Sequence, residues 1–145
     1  MMIIGVIMLT LSSSVAFYQA SVPVYIWEKV FSTGFSGDCR GVAFDHDGNI
    51  IITGYTRSRL DLGDGSFLAY TGGREIFLVK LAPSGTPIWA RTFGSVLDPD
   101  VYGSPDDEGA AVAVDSSNNI FMVGYFLGEI DFGDGPLTGS SQTIK

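Results

Sequence analysis

A duplicated segment restricts the fold of this chain more than any other feature of its sequence. The segment 42–55 recurs at 112–125, and the similarity continues without a gap into the glycine-rich turns at 61–65 and 131–135. At this offset, 11 of the 24 positions aligned from 42 to 65 are identical. Such a repeat is typical of proteins built from like units, each of which buries its apolar face against its neighbour.

A second, upstream element is repeated at a different spacing. The segment Trp27–Phe31 recurs as Trp89–Phe93, at a shorter offset than that of the first element. The difference between the offsets, 70 − 62 = 8 residues, predicts an insertion in the second copy between Phe93 and Glu108.

The apolar pattern of each unit is that of β-strands. Residues 50–52 and 120–123 are short continuous apolar runs, which are typical of central strands covered on both faces. The apolar run 76–81 and the run 88–93 flank a turn cluster of Pro, Ser and Gly, which predicts a hairpin. After Leu11, no stretch has a sustained helical period. The predicted fold class is therefore all-β.

Four strands in each unit predict the blades of a β-propeller. We expect one complete blade of four antiparallel strands and two partial blades. The strands predicted for the complete blade are 41–46, 49–56, 75–82 and 87–93. Because a propeller ring takes about four to eight blades, the chain is either part of a longer protein or one of several copies that complete the ring.

The predicted organisation has a leader at 1–20 and a repeat segment at 21–145. The repeat segment divides into the end of a preceding blade, a complete blade, an acidic insertion loop and the start of the next blade, at 21–40, 41–93, 94–108 and 109–145 respectively. The strand 24–31 closes the preceding blade, and the strands 109–115 and 119–127 open the next.

The N-terminal segment has the composition of a signal peptide. No charged side chain precedes Glu28, and the apolar run Met2–Leu11 has about the length of a signal-peptide core. The run is short for a membrane span, so we expect a secreted or cell-surface protein without a stable transmembrane anchor. The small residues of Ser14–Ala16 suit a cleavage site. Alternatively, Val15–Ala20 is a strand of the folded domain, because it resembles Phe77–Ala82 in apolar character.

Composition excludes several classes of function. The 16 acidic and 8 basic residues give a net charge of −8, which disfavours nucleic-acid binding. The one cysteine, Cys39, excludes an internal disulfide and a Cys-rich zinc site, and we interpret it as a buried or spare thiol. The one histidine, His46, has no nucleophile near it in the sequence, and no catalytic motif is present. We therefore predict no enzymatic activity.

The strand order of a blade places the loops 57–74 and 94–108 at the same end of the molecule. The turns at 46–48, 83–87 and 116–118 then lie at the opposite end. We expect ligands at the end with the long loops, because loops carry function more often than their scaffold.

The loop 94–108 is the candidate binding site, because it concentrates carboxylates: Asp98, Asp100, Asp106, Asp107 and Glu108. Several carboxylates can hold a hard cation or attract a cationic partner. Their spacing matches no known calcium loop, so a solvated acidic loop is the simpler interpretation, and we predict no metal and no cofactor. The segment Asp45–Asn49 begins like a calcium loop but lacks the distal acid, so we interpret it as a hairpin turn.

The segment Gly72–Gly94, followed by Ala111–Ile120, resembles bacterial SBBP-type β-propeller repeats. The resemblance covers about residues 24 to 137. It implies a tandem repeat of secreted and cell-surface proteins, and it brings no general catalytic residues to transfer.

We therefore expect a non-enzymatic exported scaffold or binding module. Its partners would be neighbouring blades of the same array or further copies of the chain, together with an unknown protein or carbohydrate ligand. The alternatives are a part of a larger secreted propeller enzyme, of the polysaccharide-active or lyase type, and a calcium-stabilised adhesin.

Overall fold

The computed structural model describes residues 2–10, 24–34, 36–68, 70, 72–95 and 106–144. These residues form β-strands and connecting turns without a helix, so no helix among them is long or apolar enough to cross a membrane. The strands are β1 (Met2–Thr10), β2 (Val24–Thr33), β3 (Gly37–Phe44), β4 (Ile50–Thr56), β5 (Leu60–Asp61), β6 (Phe67–Leu68), β7 (Glu75–Leu81), β8 (Pro87–Phe93), β9 (Glu108–Val114), β10 (Ile120–Asp131) and β11 (Pro136–Ile144).

The strands form three antiparallel sheets. The complete blade has the order β3–β4–β7–β8, with each strand beside the next as the sequence predicted. The second sheet has the order β1–β2–β5–β6, and the third has the order β11–β10–β9. The predicted fold class, an all-β chain with one complete blade and two partial ones, is confirmed. The strand bounds differ from the predicted ones by a few residues, most at the start of β3 and the end of β10.

The duplicated segments have the same strand register. In the complete blade, Cys39 lies opposite Gly54 and Gly41 lies opposite Thr53, so one residue bulges between the two pairs. The strands β9 and β10 repeat these pairs and this bulge at the equivalent positions of the second copy. The repeat seen in the sequence is therefore a repeat of backbone hydrogen bonding.

The strands β1 and β2 also follow a register found in the complete blade. Ile4 pairs with Phe31 in the same way as Ile76 pairs with Phe93, and both strand pairs shift register at the equivalent position. Consequently β1 and β2 correspond to the third and fourth strands of a blade.

The apolar run that predicted a leader core thus forms β1 in the structure. The signal peptide at 1–20 stays a prediction, and the alternative strand Val15–Ala20 lies outside the described residues.

The segment Leu60–Leu68 crosses from the complete blade to the preceding sheet, and we call it the strap. Its first residues, in β5, pair with Ser32 and Thr33 at the outer edge of β2, and β6 pairs with β5. The sequence predicted only a loop here. In the second copy, the equivalent residues 130–138 belong to β10, to a turn and to β11 instead.

Two apolar clusters cover the two faces of the complete blade. The cluster toward β2 and the strap contains Phe31, Ile50, Ile52, Leu60, Leu62, Phe77, Val79 and Leu81. The cluster toward β10 contains Ile76, Phe126 and Ile130. Because alternate residues of a strand point to opposite faces, the continuous apolar run of β7 contributes Ile76 to one cluster and Phe77, Val79 and Leu81 to the other.

Gly109 lies where β9 approaches β4 most closely. A Cβ atom at this position would overlap Thr53 Oγ1. Thr53 cannot easily move away, because it is fully buried and its hydroxyl donates a hydrogen bond to the carbonyl oxygen of Phe77 at 2.9 Å. The close contact between the two repeats therefore requires glycine at 109.

We predict that Gly109→Ala lowers the free energy of unfolding by about 1–3 kcal/mol, the usual cost of overpacking a core. The measurement is urea unfolding of the whole chain. The matched control is Gly34→Ala, whose Cβ would lie 3.5 Å from Ser58 Oγ, an ordinary contact. Equal losses for the two variants would contradict the close approach of β9 to β4.

Candidate functional site

The two long loops leave the complete blade at the same end, as the strand order predicted. Asp106 bridges to Arg74 through the backbone, and its carboxylate accepts a hydrogen bond from Arg57 Nη2 at 2.7 Å. Arg57 and Arg74 lie at the two ends of the loop 57–74, and Asp106 lies at the end of the loop 94–108. This end of the molecule is therefore the candidate functional surface.

A network of charged and aromatic side chains joins the two repeats at this end. We call it the ionic cluster. It draws on β3, β4, β9, β10 and the residues that precede β7 and β9, and its members are Arg40, Tyr55, Arg57, Arg74, Asp106, Glu108 and Tyr125.

Arg74 is the centre of the ionic cluster. Its guanidinium carbon lies 3.5 Å from the centroid of the Tyr55 ring, and its Nη2 lies 2.7 Å from Glu108 Oε2. Its Nη1 also donates a hydrogen bond to the Tyr125 hydroxyl at 3.1 Å. The side chains of Arg74 and Glu108 are only 13% and 12% exposed, so their attraction is weakly screened by solvent.

Glu108 forms ion pairs with arginines from two parts of the first repeat. Arg40 Nε lies 3.0 Å from its Oε1, while Arg74 occupies Oε2. The Tyr125 hydroxyl also donates to Oε2, at 3.1 Å. Burial raises the pKa of Tyr125, and the charge of Glu108 adds to this, which keeps the hydroxyl protonated and able to donate. Glu108 thus ties β9 to β3 and to the start of β7.

Asp107 is fully buried beside the ionic cluster. Its carboxylate accepts hydrogen bonds from the Ser95 amide at 2.7 Å, the Ser95 hydroxyl at 2.9 Å and the Leu127 amide at 3.0 Å. Burial raises the pKa of Asp107, although these three hydrogen bonds oppose the rise. The residue connects the end of β8 to β10.

The structure places three of the five predicted site residues. Asp106, Asp107 and Glu108 bond to side chains and amides of this chain, and the interpretation as a solvated loop does not hold for Asp107 and Glu108, which are buried. Asp98 and Asp100 lie outside the described residues. Within the residues that the structure describes, no group of three or more His, Cys, Asp or Glu side chains is placed to hold a metal ion. Ligand binding by the loop stays a prediction.

The arginines of the ionic cluster were not among the site residues predicted from the sequence. A signal was available, because four of the eight basic residues lie between positions 40 and 74, around one long loop. A second signal was the repeated pairing of an acid with a tyrosine. Asp38 lies opposite Tyr55 in the first repeat, and Glu108 lies opposite Tyr125 at the equivalent place in the second.

The turn at the opposite end confirms the hairpin interpretation of Asp45–Asn49. Asp45 Oδ1 accepts hydrogen bonds from the amides of Asp47 and Asn49, and Oδ2 accepts from Asn49 Nδ2 and lies 2.7 Å from Lys80 Nζ. Although burial opposes it, bonding to Lys80 and Asn49 holds the pKa of Asp45 far below its usual range. Asp115 has the equivalent hydrogen bonds in the second repeat.

Comparison with known proteins agrees with a propeller-like repeat. No family model matches the chain. Over 94 residues, the chain is 32% identical to an uncharacterized WD repeat-containing protein of Acanthamoeba polyphaga mimivirus. The match covers 59% of this chain and 6% of that protein, so the chain spans only a small part of the relative's length. WD repeats form propeller blades of four strands, the architecture seen here.

We predict that Glu108→Gln lowers the free energy of unfolding by about 2–4 kcal/mol, because Arg74 loses its charged partner in a largely buried site and Arg40 loses one of its two carboxylates. The control is Asp38→Asn, which removes the other carboxylate bonded to Arg40. That pair is 36–42% exposed, so the loss should stay below about 1 kcal/mol. Similar losses in urea unfolding would show that the ionic cluster does not join the repeats.

We predict that Asp45→Asn lowers the free energy of unfolding by an amount that depends on pH. The pKa of Asp45 is lower in the folded state, so its stabilisation is present above the unfolded pKa of about 4 and disappears as the pH falls through the folded value. The difference in unfolding free energy between wild type and variant should therefore shrink between about pH 5 and pH 2. Ser116→Ala, an uncharged change in the equivalent turn, should keep the wild-type pH profile. A constant difference for Asp45→Asn would contradict this role.

Proposed function

We propose that this chain is a non-enzymatic β-propeller repeat segment that serves as an interaction scaffold. The ionic cluster is the observation that carries the proposal. It fixes the ends of two long loops from neighbouring blades, and a rigid scaffold that presents loops is a common basis for recognition. The WD repeat-containing relative supports a protein-interaction role in general.

The distribution of reactive side chains supports a role without catalysis. His46 lies in an exposed turn at the end opposite the ionic cluster, where its amide donates to Asn118. Burial raises the pKa of the Cys39 thiol, which makes it a poorer nucleophile at neutral pH. The Cys39 side chain packs against the apolar cluster toward β2.

The rim of the candidate surface favours a protein partner. Arg57 and Asp106 have side chains that are 43% and 52% exposed, and Tyr70 is 39% exposed on the same loop as Arg57. Arginine and tyrosine are enriched at protein interfaces, and mixed charges supply the polar rim. A carbohydrate ligand is the competing outcome.

Export remains a proposal from the sequence. The same residues that fit a signal-peptide core form β1, so removal of the leader and pairing of β1 with β2 exclude each other. Measurement of the intact mass of protein from the culture medium separates a chain that keeps β1 from one that begins near Ala16.

The test of the scaffold compares variants at the two ends of the molecule. Arg57→Ala combined with Tyr70→Ala should weaken the binding of extracellular proteins by about tenfold or more, since such residues dominate interface energies. The control, Ser84→Ala combined with Thr86→Ala, changes the exposed turn at the other end and should bind as wild type does.

Two other outcomes overturn the proposal. Equal binding by both double variants would place recognition elsewhere, and turnover of polysaccharide substrates would favour the enzyme alternative. Binding to an array of glycans, but to no protein, would replace the protein partner by a carbohydrate.

A further inference from the structure

Equivalent positions of the two repeats differ sharply in exposure. Ile51 and Thr53 of β4 are fully buried, because β9 and β10 pack over them. The equivalent residues of β10, Phe121 and Val123, are 58% and 42% exposed. In the described part of the chain, no sheet covers this face of β10.

A second exposed apolar patch lies on the opposite face of the complete blade. Val42 and Phe44 of β3 are 53% and 55% exposed, although they pair with Ile52 and Ile50, which are fully buried. The sheet of β1 and β2 covers the outer part of this face. Among the described residues, this sheet contains no counterpart of the two inner strands of a blade, which would cover Val42 and Phe44.

The two partial sheets are complementary halves of one blade. By register, β9 and β10 correspond to its first and second strands, and β1 and β2 correspond to its third and fourth. We infer that two copies of this chain associate head to tail, with β9 and β10 of one copy and β1 and β2 of the next forming a composite four-stranded blade. The inference rests on the propeller scaffold proposed above, and it concerns the chain that keeps β1.

The composite blade brings the two exposed patches together. Its inner strands would lie over β3 of the second copy, so Phe121 and Val123 would cover Val42 and Phe44. Removal of four exposed apolar side chains from water favours this association. Each contact of this kind would join two copies through one composite blade.

Formation of the composite blade requires β11 to leave the edge of β10. In the first repeat, the counterpart of 130–138, which includes the start of β11, is the strap, and it pairs with the outer edge of β2. The outer edge of β8 could accept a strand in the same way, because the described pairing of β8 is with β7 alone. There a groove of about 540 Å³ is lined by Leu68, Ala90, Arg91, Thr92, Phe93, Asp131, Phe132 and Gly133.

One contact in the single chain already places residues of the second repeat against β8. The Phe132 ring lies 4.9 Å from the ring of Phe93 on β8, between centroids. In the first repeat, the equivalent residue, Leu62, shares a core cluster with Phe31. Residues 130–138 can therefore pair with β8 as the strap pairs with β2, which exposes the edge of β10 for β1 of another copy.

The contact between the two repeats of one chain shows which residues of two chains would touch across the composite blade, and so where a disulfide could link them. Thr53 touches Gly109 within the chain. Across the composite blade, the equivalent residues are Val123 of one copy and Cys39 of the next. Cys39 is the one cysteine of the sequence, so a cysteine placed at 123 can form a disulfide only with Cys39 or with another copy of itself.

The experiment oxidises the full-length Val123→Cys variant and separates the products on a non-reducing gel. We expect disulfide-linked dimers and larger species, and we expect Cys39→Ser in the same chain to abolish them. The control is Ile88→Cys, which introduces an equally exposed cysteine on β8 and should give little linkage. Light scattering should show wild-type assemblies of two or more copies, and Phe121→Asp should convert these to monomers.

Three results would overturn the composite blade. These are a monomeric wild-type chain at all concentrations, linkage that persists without Cys39, and equal linkage in the Ile88→Cys control. Phe121 is exposed in the single chain, so Phe121→Asp should fold, which circular dichroism verifies. A monomer that still binds partners through Arg57 and Tyr70 would overturn only the assembly, whereas an assembled chain without such binding would overturn only the proposed function.

Discussion

Every sheet of this protein depends on burying two apolar faces. A central strand such as β4 carries apolar residues in succession, so Ile50 and Ile51 point to opposite sides and each needs a neighbouring sheet. The complete blade satisfies this requirement on both sides of β4 and β7. The sheet of β10 is covered on one side, which leaves Phe121 and Val123 exposed. The sheet of β1 and β2 covers only part of the complete blade, which leaves Val42 and Phe44 of β3 exposed.

Apolar burial alone does not fix how one blade is set against another. The ionic cluster adds specific contacts, because the guanidinium of Arg74 meets Tyr55, Glu108 and Tyr125 at short distances. Asp107 adds hydrogen bonds from the backbone of β8 and β10. Polar contacts at one end thus set the relative position of two repeats whose interior is held together by apolar packing.

The sequence predicted the architecture better than the site. Strands that follow one another in the sequence pair with one another within a blade, and the same pairs recur wherever the sequence is duplicated. The duplication was therefore enough to predict the strands and their order. The partners of Glu108 were not predictable in the same way, because Arg40 and Arg74 lie far away in sequence and meet it only after the blades stack. The strap was missed because Leu60 and Asp61 form a very short strand whose partner, β2, belongs to another sheet.

The strap has a consequence for the chain as it leaves the ribosome. Thr33 ends β2, but its pairing partner Leu60 is made only after the whole of the intervening segment 34–59. At about 5–20 residues per second, Ser32 and Thr33 at the outer edge of β2 lack this partner for roughly one to five seconds. During that interval this part of the edge is an open template for strands of other nascent chains. The charges of Glu28 and Lys29 on the same strand oppose such pairing. Translation speed between these two positions therefore bears on how much of the protein aggregates.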